Sequence, residues 1–200
     1  MFSSKRYLEE FNKLKRENIM LSLELNRLKY LEEENEQLRR IIKFKGEKKI
    51  DLIPIQVIGI EPSRFRRVVL ASMEGGQFIK ENMFVIDYNG YLIGKVLRLR
   101  GKYIEVILVN DPDFTTTVKV GNSLGLLKGT LGGAIKVFYI DIREDIKEGD
   151  LVLASFYQKG IDLVIGKVKS INYDRNSLSL DITVEPVSNI LSSSTVFVVK

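Results

Sequence analysis

The spacing of hydrophobic residues along this chain changes once, near residue 46, from a helical period to a strand period. Between residues 4 and 44 there is no Pro and no Gly, and apolar or Asn residues recur at alternating steps of three and four. That spacing is the heptad pattern of a coiled coil, in which the a and d positions face a partner helix. The predicted seam consists of Phe11, Leu14, Asn18, Leu21, Leu25, Leu28, Leu31, Asn35, Leu38 and Ile42.

Two Asn residues occupy a positions of this seam, Asn18 and Asn35. A buried Asn weakens a coiled coil, but two amides that meet across a parallel, in-register dimer fix its register and oligomeric state. The step from Leu28 to Leu31 is three where four is expected, which overwinds the supercoil locally. We therefore predict a homodimerising helix over residues 1–45, with Gly46 ending it. The alternative, a helix folded back on the rest of the chain, remains open.

After Gly46 the period becomes two, and the segments are rich in Val, Ile and aromatic residues. Turn residues such as Asn89-Gly90 and Gly132-Gly133 separate these segments. Many short strands at such spacing predict a β-sandwich or a β-barrel. The predicted strands cover residues 56–59, 67–70, 83–86, 91–97, 103–109, 117–120, 134–139, 151–153, 163–168, 180–184 and 196–199.

An internal repeat narrows this choice of fold. The sequence I-K-E-N-M-F-V at residues 79–85 resembles I-K-E-G-D-L-V at residues 146–152, and I-G-K-V follows each copy, at 93–96 and at 165–168. The repeat predicts two related small β-barrels, with chance similarity of short β-rich segments as the alternative. A Gly within a strand allows a bend or a close backbone approach. The predicted turn and repeat residues are Gly90, Gly94, Gly149, Asp150 and Gly166.

The composition contains no Cys, no His and no Trp. A disulfide framework, a thiolate nucleophile and a cysteine zinc site are therefore excluded, as is the usual general base. Residues 121–125 match G-x-S-x-G, but the hydrolase motif needs a His and a strand-to-helix turn, so we predict a β-turn there. We predict no catalytic residue, no cofactor and no metal site.

Two groups of carboxylates are the strongest alternatives to that conclusion. Asp111 with Asp113, and Asp141 with Glu144 and Asp145, are suited to acid–base pairs or to binding a hard cation. Asp111-Pro112-Asp113 is more typical of a turn in which Asp bonds to its own backbone. We predict that the second group belongs to a solvated loop.

The net charge of +5 raises the question of nucleic-acid binding. Residues 1–49 carry 13 Lys or Arg against 9 Asp or Glu, whereas residues 50–200 carry 18 against 17. Arg64, Arg66 and Arg67 beside Phe65 suit a single strand, because cations and a stacking ring alternate there. A nearly neutral β region does not form an electrostatic groove. We therefore predict a solvated strand face and no nucleic-acid partner.

Six segments occur in one fixed order along the chain: residues 76–96, 106–111, 146–152, 160–168, 184–186 and 196–199. In that order they resemble the family of the rod-shape-determining protein MreC. Two features depart from the usual family pattern: Ala154-Ser155-Phe156 occupies the place of a T-S-G triplet, and Lys159 that of a Pro. There is no run of 18 apolar residues and no signal peptide, so we expect a soluble portion whose membrane anchor precedes residue 1.

This resemblance implies a mainly β fold with one long N-terminal helix and two six-stranded barrels. Residues 46–115 form the first barrel, which residues 185–200 complete, and residues 116–184 form the second. It also implies a non-catalytic scaffold outside the bacterial cytoplasmic membrane. Its partners are then the cell-wall transpeptidase and glycosyltransferase, MreD and, through them, MreB.

Two other functions stay open at this stage. The first is a periplasmic adaptor of a transport system, although such adaptors insert a helical hairpin between two β halves. The second is a nucleic-acid-binding β-barrel protein.

Overall fold

A computed structural model describes residues 2–61, 65–73, 78–156, 160–173, 178–188 and 194–200. One helix, α1 (Phe2–Lys48), precedes twelve strands in this part of the chain. The strands are β1 (Leu52–Ile60), β2 (Val68–Ser72), β3 (Phe84–Ile86), β4 (Leu92–Arg100), β5 (Tyr103–Leu108), β6 (Thr115–Val120), β7 (Ser123–Gly129), β8 (Ile135–Asp141), β9 (Leu151–Phe156), β10 (Ile161–Asn172), β11 (Ser179–Pro186) and β12 (Thr195–Val199).

The helix runs three residues beyond its predicted end at residue 45. Gly46 lies inside α1, and Lys49 leaves the helix with a φ of 52°. A single Gly costs a helix only about 1 kcal/mol relative to Ala, so it does not by itself end one. Residues 1–42 form one compact unit and residues 43–200 form a second.

The second unit consists of two closed, six-stranded barrels, which confirms the predicted fold class. The strand order of the first barrel is β1-β12-β3-β4-β5-β2, and that of the second is β10-β11-β8-β7-β6-β9. All described strand pairs are antiparallel. The first barrel therefore depends on the last strand of the chain, whereas the second is continuous.

One strand, β7, was not predicted from the sequence. The predicted turn at residues 121–125 is a turn only at its first two residues, and Ser123 already begins the strand. The usual hydrophobic alternation is blurred here, since Gly125 and Gly129 flank the buried Leu127 on the inner face while Leu124 lies on the outside. Glycine also has a low β-propensity, so the composition of this segment did not indicate a strand either.

The two barrels share one pairing scheme. In the first, β4 lies between β3 and β5; in the second, β10 lies between β9 and β11. Each of these two central strands has a register shift after its I-G-K-V segment, at Val96/Arg98 and at Val168/Ser170. The repeat seen in the sequence thus corresponds to the same three-stranded unit in both barrels.

Candidate functional site: the helix seam and the barrel junction

The predicted seam lies along α1, and all ten of its residues are exposed in this single chain. Exposure of its apolar members runs from 43% at Leu38 to 68% at Ile42. Large exposed apolar patches mark surfaces that bind another protein or a membrane. The seam is therefore a candidate interaction surface, and the dimer stays a prediction.

The two Asn residues of the seam make local bonds within α1. The Arg39 Nε donates to the Asn35 Oδ1 at 2.8 Å, and the Ser22 Oγ donates to the backbone oxygen of Asn18, also at 2.8 Å. Neither bond buries the amide. Both side chains thus lie exposed at the helix surface, and that of Asn35 already accepts one bond from within the helix.

Gly94 and Gly166, the glycines of the repeated I-G-K-V, occupy matching positions. A Cβ on Gly94 would clash with the carbonyl oxygen of Ile107, and a Cβ on Gly166 would clash with that of Glu185. The neighbouring strand passes so closely that only a hydrogen fits at either place. These glycines therefore shape the two barrels, and no reacting group lies in either contact.

The other three predicted turn residues also lie in turns. Gly90 has a φ of 81°, and a Cβ there would clash with the Phe44 ring. Gly149 has a φ of 92°, a conformation that favours glycine. Asp150 accepts the Lys147 backbone N–H through its Oδ2 at 2.8 Å. The contacts described for these residues give each a local, conformational role.

The chain crosses from the first barrel to the second between β5 and β6, and a buried carboxylate anchors that crossing. Asp111 is fully buried, and its Oδ2 accepts the Arg67 backbone N–H at 2.6 Å and the Arg66 Nε at 3.2 Å. Its Oδ1 accepts the Asp113 backbone N–H at 2.9 Å, which confirms the predicted Asp turn. Arg66 Nη1 also pairs with Asp113 Oδ2 at 3.0 Å.

The second barrel packs tightly against this crossing. A Cβ on Gly129 would clash with the Asp111 carbonyl oxygen, and one on Gly133 would lie 2.6 Å from the Arg67 Nη2. The Lys95 Nζ donates to the Thr115 carbonyl oxygen at 3.2 Å and lies 5.3 Å from the Phe114 ring centroid. Burial lowers the pKa of Lys95 because the charged ammonium loses solvent there. The two barrels are thus joined by close backbone contacts.

The return crossing, from β11 to β12, has a similar anchor. Asp87 is 5% exposed, and its Oδ2 accepts the Ser188 Oγ at 2.6 Å. Its Oδ1 accepts the backbone N–H groups of Asn89 at 2.8 Å and Tyr91 at 2.9 Å. Asp87 and Asp111 are the two buried charged residues of the described chain. An open groove of about 620 Å³ lies between the crossings and has a mixed apolar and charged lining.

The arginines considered for nucleic-acid binding, and the carboxylates considered for metal binding or acid–base catalysis, make structural contacts instead. The Arg66 side chain binds Asp111 and Asp113, the Arg67 guanidinium packs against Gly133, and Arg64 lies outside the described residues. Arg143 binds Asp141 at 2.7 Å, which holds the pKa of that carboxyl well below its usual range. The described residues hold no group of three or more metal-binding side chains. Among them, no helix is long and apolar enough to cross a bilayer.

Sequence analysis did not find the role of either anchoring carboxylate. Asp111 was predicted only as a turn residue, and Asp87 was not singled out. Their partners lie 44 and 101 residues away along the chain, so no local pattern reveals them. The one available signal was an Asp within three residues of the end of an apolar strand, which is also common in ordinary turns.

Comparison with protein families decides the relationship. A protein-family model described as "Rod shape-determining protein MreC, barrel core" matches residues 57–200. This range begins within β1 and includes the rest of both barrels. The chain belongs to the MreC family. The predicted resemblance is thereby confirmed. MreC proteins are non-catalytic and determine cell shape, so the chain is not an enzyme.

Solved MreC structures share this fold. One MreC is 21% identical with a TM-score of 0.73, covering 85% of this chain and 99% of that one. The major periplasmic domain of the cell shape-determining filament MreC is 20% identical with a TM-score of 0.64, covering 75% and 95%. A chain of the Helicobacter pylori complex between PBP2, a penicillin-binding protein, and MreC is 17% identical with a TM-score of 0.55, covering 74% and 96%. A comparison with curated protein sequences finds no match.

Proposed function

We propose that this MreC chain is a dimeric scaffold of the bacterial cell-elongation machinery, working outside the cytoplasmic membrane. The observation that carries the dimer is the exposed seam of α1, with Asn at two of its a positions. The similar periplasmic domain of the MreC filament supports this location. Shape determination itself is the function of the family.

The proposed partners are those of the elongation machinery. The MreC of Helicobacter pylori forms a complex with PBP2, and we transfer a partner of that class, a cell-wall transpeptidase, to this chain. The glycosyltransferase, MreD and, through them, MreB complete the proposed assembly. The barrels supply the binding surfaces, because closed barrels present side chains on their outer walls.

The proposed mechanism is positional. A helix of 47 residues spans about 70 Å at 1.5 Å per residue. A parallel dimer brings two copies of each barrel into one assembly, so that two partner enzymes are held together. Two weak sites on one scaffold raise the effective concentration of a partner far above that of free binding.

The alternative functions lose support from the contacts. A transport adaptor inserts a helical hairpin between β halves, whereas the described chain has one helix followed by all twelve strands. A single-strand binding face needs available cations, but the Arg66 side chain pairs with two carboxylates and the Arg67 guanidinium packs against Gly133 of the second barrel.

Light scattering tests the dimer most directly. We expect the wild-type chain to have the mass of a dimer, and the Asn18→Leu/Asn35→Leu variant to shift to higher oligomers. The amides restrict the seam to two strands, and Leu at those positions removes the restriction. Asn89→Leu, a turn substitution outside the seam, is the matched control and should leave the mass unchanged. A monomeric wild type at micromolar concentration contradicts the proposal.

A further inference from the structure

The outer wall of the second barrel carries an apolar surface that the fold does not require. On β7 the residues facing outward include Leu124, 57% exposed, and Leu126, which is partly exposed. The inner positions Gly125 and Gly129 are glycine because a Cβ there would crowd β8 or the first crossing. Packing thus explains the inner glycines and leaves the outer leucines unexplained.

The neighbouring strand extends the same surface. Phe138 on β8 lies directly opposite Leu126, and the Tyr139 ring lies 6.5 Å from the Phe138 ring. Tyr139 is 75% exposed and has a φ of 68°, a backbone conformation that is unfavourable for a residue with a side chain. The ladder is irregular here, between the pairs of Leu180 and Ile182, so an additional aromatic ring faces outward. Strained residues of this kind cluster at binding sites.

Lysines border this surface at both ends. Lys119 pairs with Leu124 across β6 and β7, and Lys128 lies directly opposite Lys136. Asp181 binds Lys136 at 2.7 Å, whereas Lys119 and Lys128 have no ion pair within the described part of the chain. Two like charges directly opposite each other weaken a sheet. The uncompensated charge therefore favours a negative partner.

The ladder behind this surface is complete, because β7 pairs with both β6 and β8. Recognition must therefore occur through side chains and not through an added strand. Positions 124 and 128 lie four residues apart on one face, about 13 Å along the strand. A partner that matches has an apolar centre and acidic side chains about that far apart.

We propose that the lysine-bordered wall, defined as Lys119, Leu124, Leu126, Lys128, Phe138 and Tyr139, binds an acidic, amphipathic segment of a protein partner. The inference rests on the proposed function, because the protein that carries this acidic segment is taken to be the cell-wall transpeptidase proposed above. An amphipathic protein segment fits better than a nucleic acid, since the centre of the wall is apolar and only two lysines lack acidic partners. It fits better than a lipid surface, because the apolar residues lie along a strand and not at a protruding tip.

The test uses the full chain and the extracytoplasmic domain of the PBP2-class transpeptidase from the same bacterium. We expect Lys119→Glu/Lys128→Glu to weaken binding at least tenfold and to reduce its salt dependence, as measured by calorimetry at two salt concentrations. Leu124→Ser/Leu126→Ser should weaken binding by a similar factor. Ile58→Ser/Ile60→Ser on β1, where both residues are also about half exposed, is the matched control and should bind as wild type does. Circular dichroism confirms that each variant is folded; should the leucine pair fail to fold, the charge pair still decides.

The outcomes separate the two proposals. Wild-type binding that neither variant pair changes overturns the lysine-bordered wall and leaves the scaffold intact. A wild type that does not bind the transpeptidase overturns both. Flotation with vesicles containing phosphatidylglycerol is measured in parallel. If the charge variants lose vesicle binding but keep the transpeptidase, the wall is a lipid surface and the proposal is wrong.

Discussion

The two barrels have the same strand neighbours but a different order along the chain. Because each barrel is closed, the strand order of the second can be written from any strand, and from β7 it is β7-β6-β9-β10-β11-β8. Compared with the first order, β6 then corresponds to β12, and β7 to β11 correspond to β1 to β5. The first barrel is thus a circular permutation of the second, with its opening strand supplied by the end of the sequence. The difference shows that pairing between strands, and not their order of synthesis, specifies this fold.

The same comparison separates shared from individual residues. Gly94 and Gly166 meet the neighbouring backbone in the same way, and the hydrogen bonds from Asn82 to Val96 and from Gly149 to Val168 are both 2.8 Å. In contrast, Lys95 lies at the junction while its counterpart Lys167 is exposed. The repeat therefore conserves backbone geometry, and the side chains around it serve different neighbours.

Removing residues 195–200, which include β12, should have the largest effect and should destabilise the first barrel but not the second. Val196, Phe197, Val198 and Val199 are all buried, and each contributes about 1.5–3 kcal/mol by burial. Their sum rivals the whole stability of a typical domain, so the first barrel should open while the second stays closed. Hydrogen exchange should show lost protection in β1 and β3 but not in β7. Deleting Lys200 alone is the control, and equal loss in both barrels contradicts the prediction.

Substituting the repeat glycines should have the next largest effect. We expect Gly94→Ala to destabilise the first barrel, and Gly166→Ala the second, by about 2–4 kcal/mol each, because the new methyl group meets a carbonyl oxygen. Gly59→Ala is the matched control, since a Cβ on that strand glycine has open space. Urea unfolding followed by barrel-resolved exchange measures both. An effect of Gly59→Ala as large as the others would show that steric contact is not the cause.

Asp111→Asn should have the smallest of these effects and should act on the junction. The neutral amide weakens two bonds from Arg66 and Arg67, which we expect to cost about 1.5–3 kcal/mol. Asp113→Asn, whose carboxylate is 67% exposed, should change stability by less than about 1 kcal/mol. The midpoints of urea unfolding, compared at a constant m-value, distinguish the two variants. Equal shifts would mean that burial of Asp111 does not strengthen its bonds.

Periodicity was sufficient to predict most of the fold. The heptad spacing predicted α1, and period-two segments with turn residues predicted eleven of the twelve strands. The missed strand, β7, has two glycines beside the buried Leu127 on its inner face and leucines at two outer positions, so its apolar residues do not alternate with polar ones. Propensity rules assume that apolar residues face the core, and they fail where an outer surface has another use.

The candidate site was less predictable, because its contacts join distant residues. Asp111 meets Arg67 from 44 positions away, and Asp87 meets Ser188 from 101. A sequence gives residue types but not which loop folds back onto which. The seam is the exception, since helical spacing alone places residues such as Asn18 and Asn35 on one stripe.

The closing strand of the first barrel has a consequence for biosynthesis. A polypeptide leaves the ribosome from its amino terminus, so β6 to β11 are all made before β12 exists. The second barrel can close on its own while the first still lacks the strand between β1 and β3. Until β12 is made, the edges of β1 and β3 that it covers therefore remain unpaired, and these edges are open to pairing with another strand.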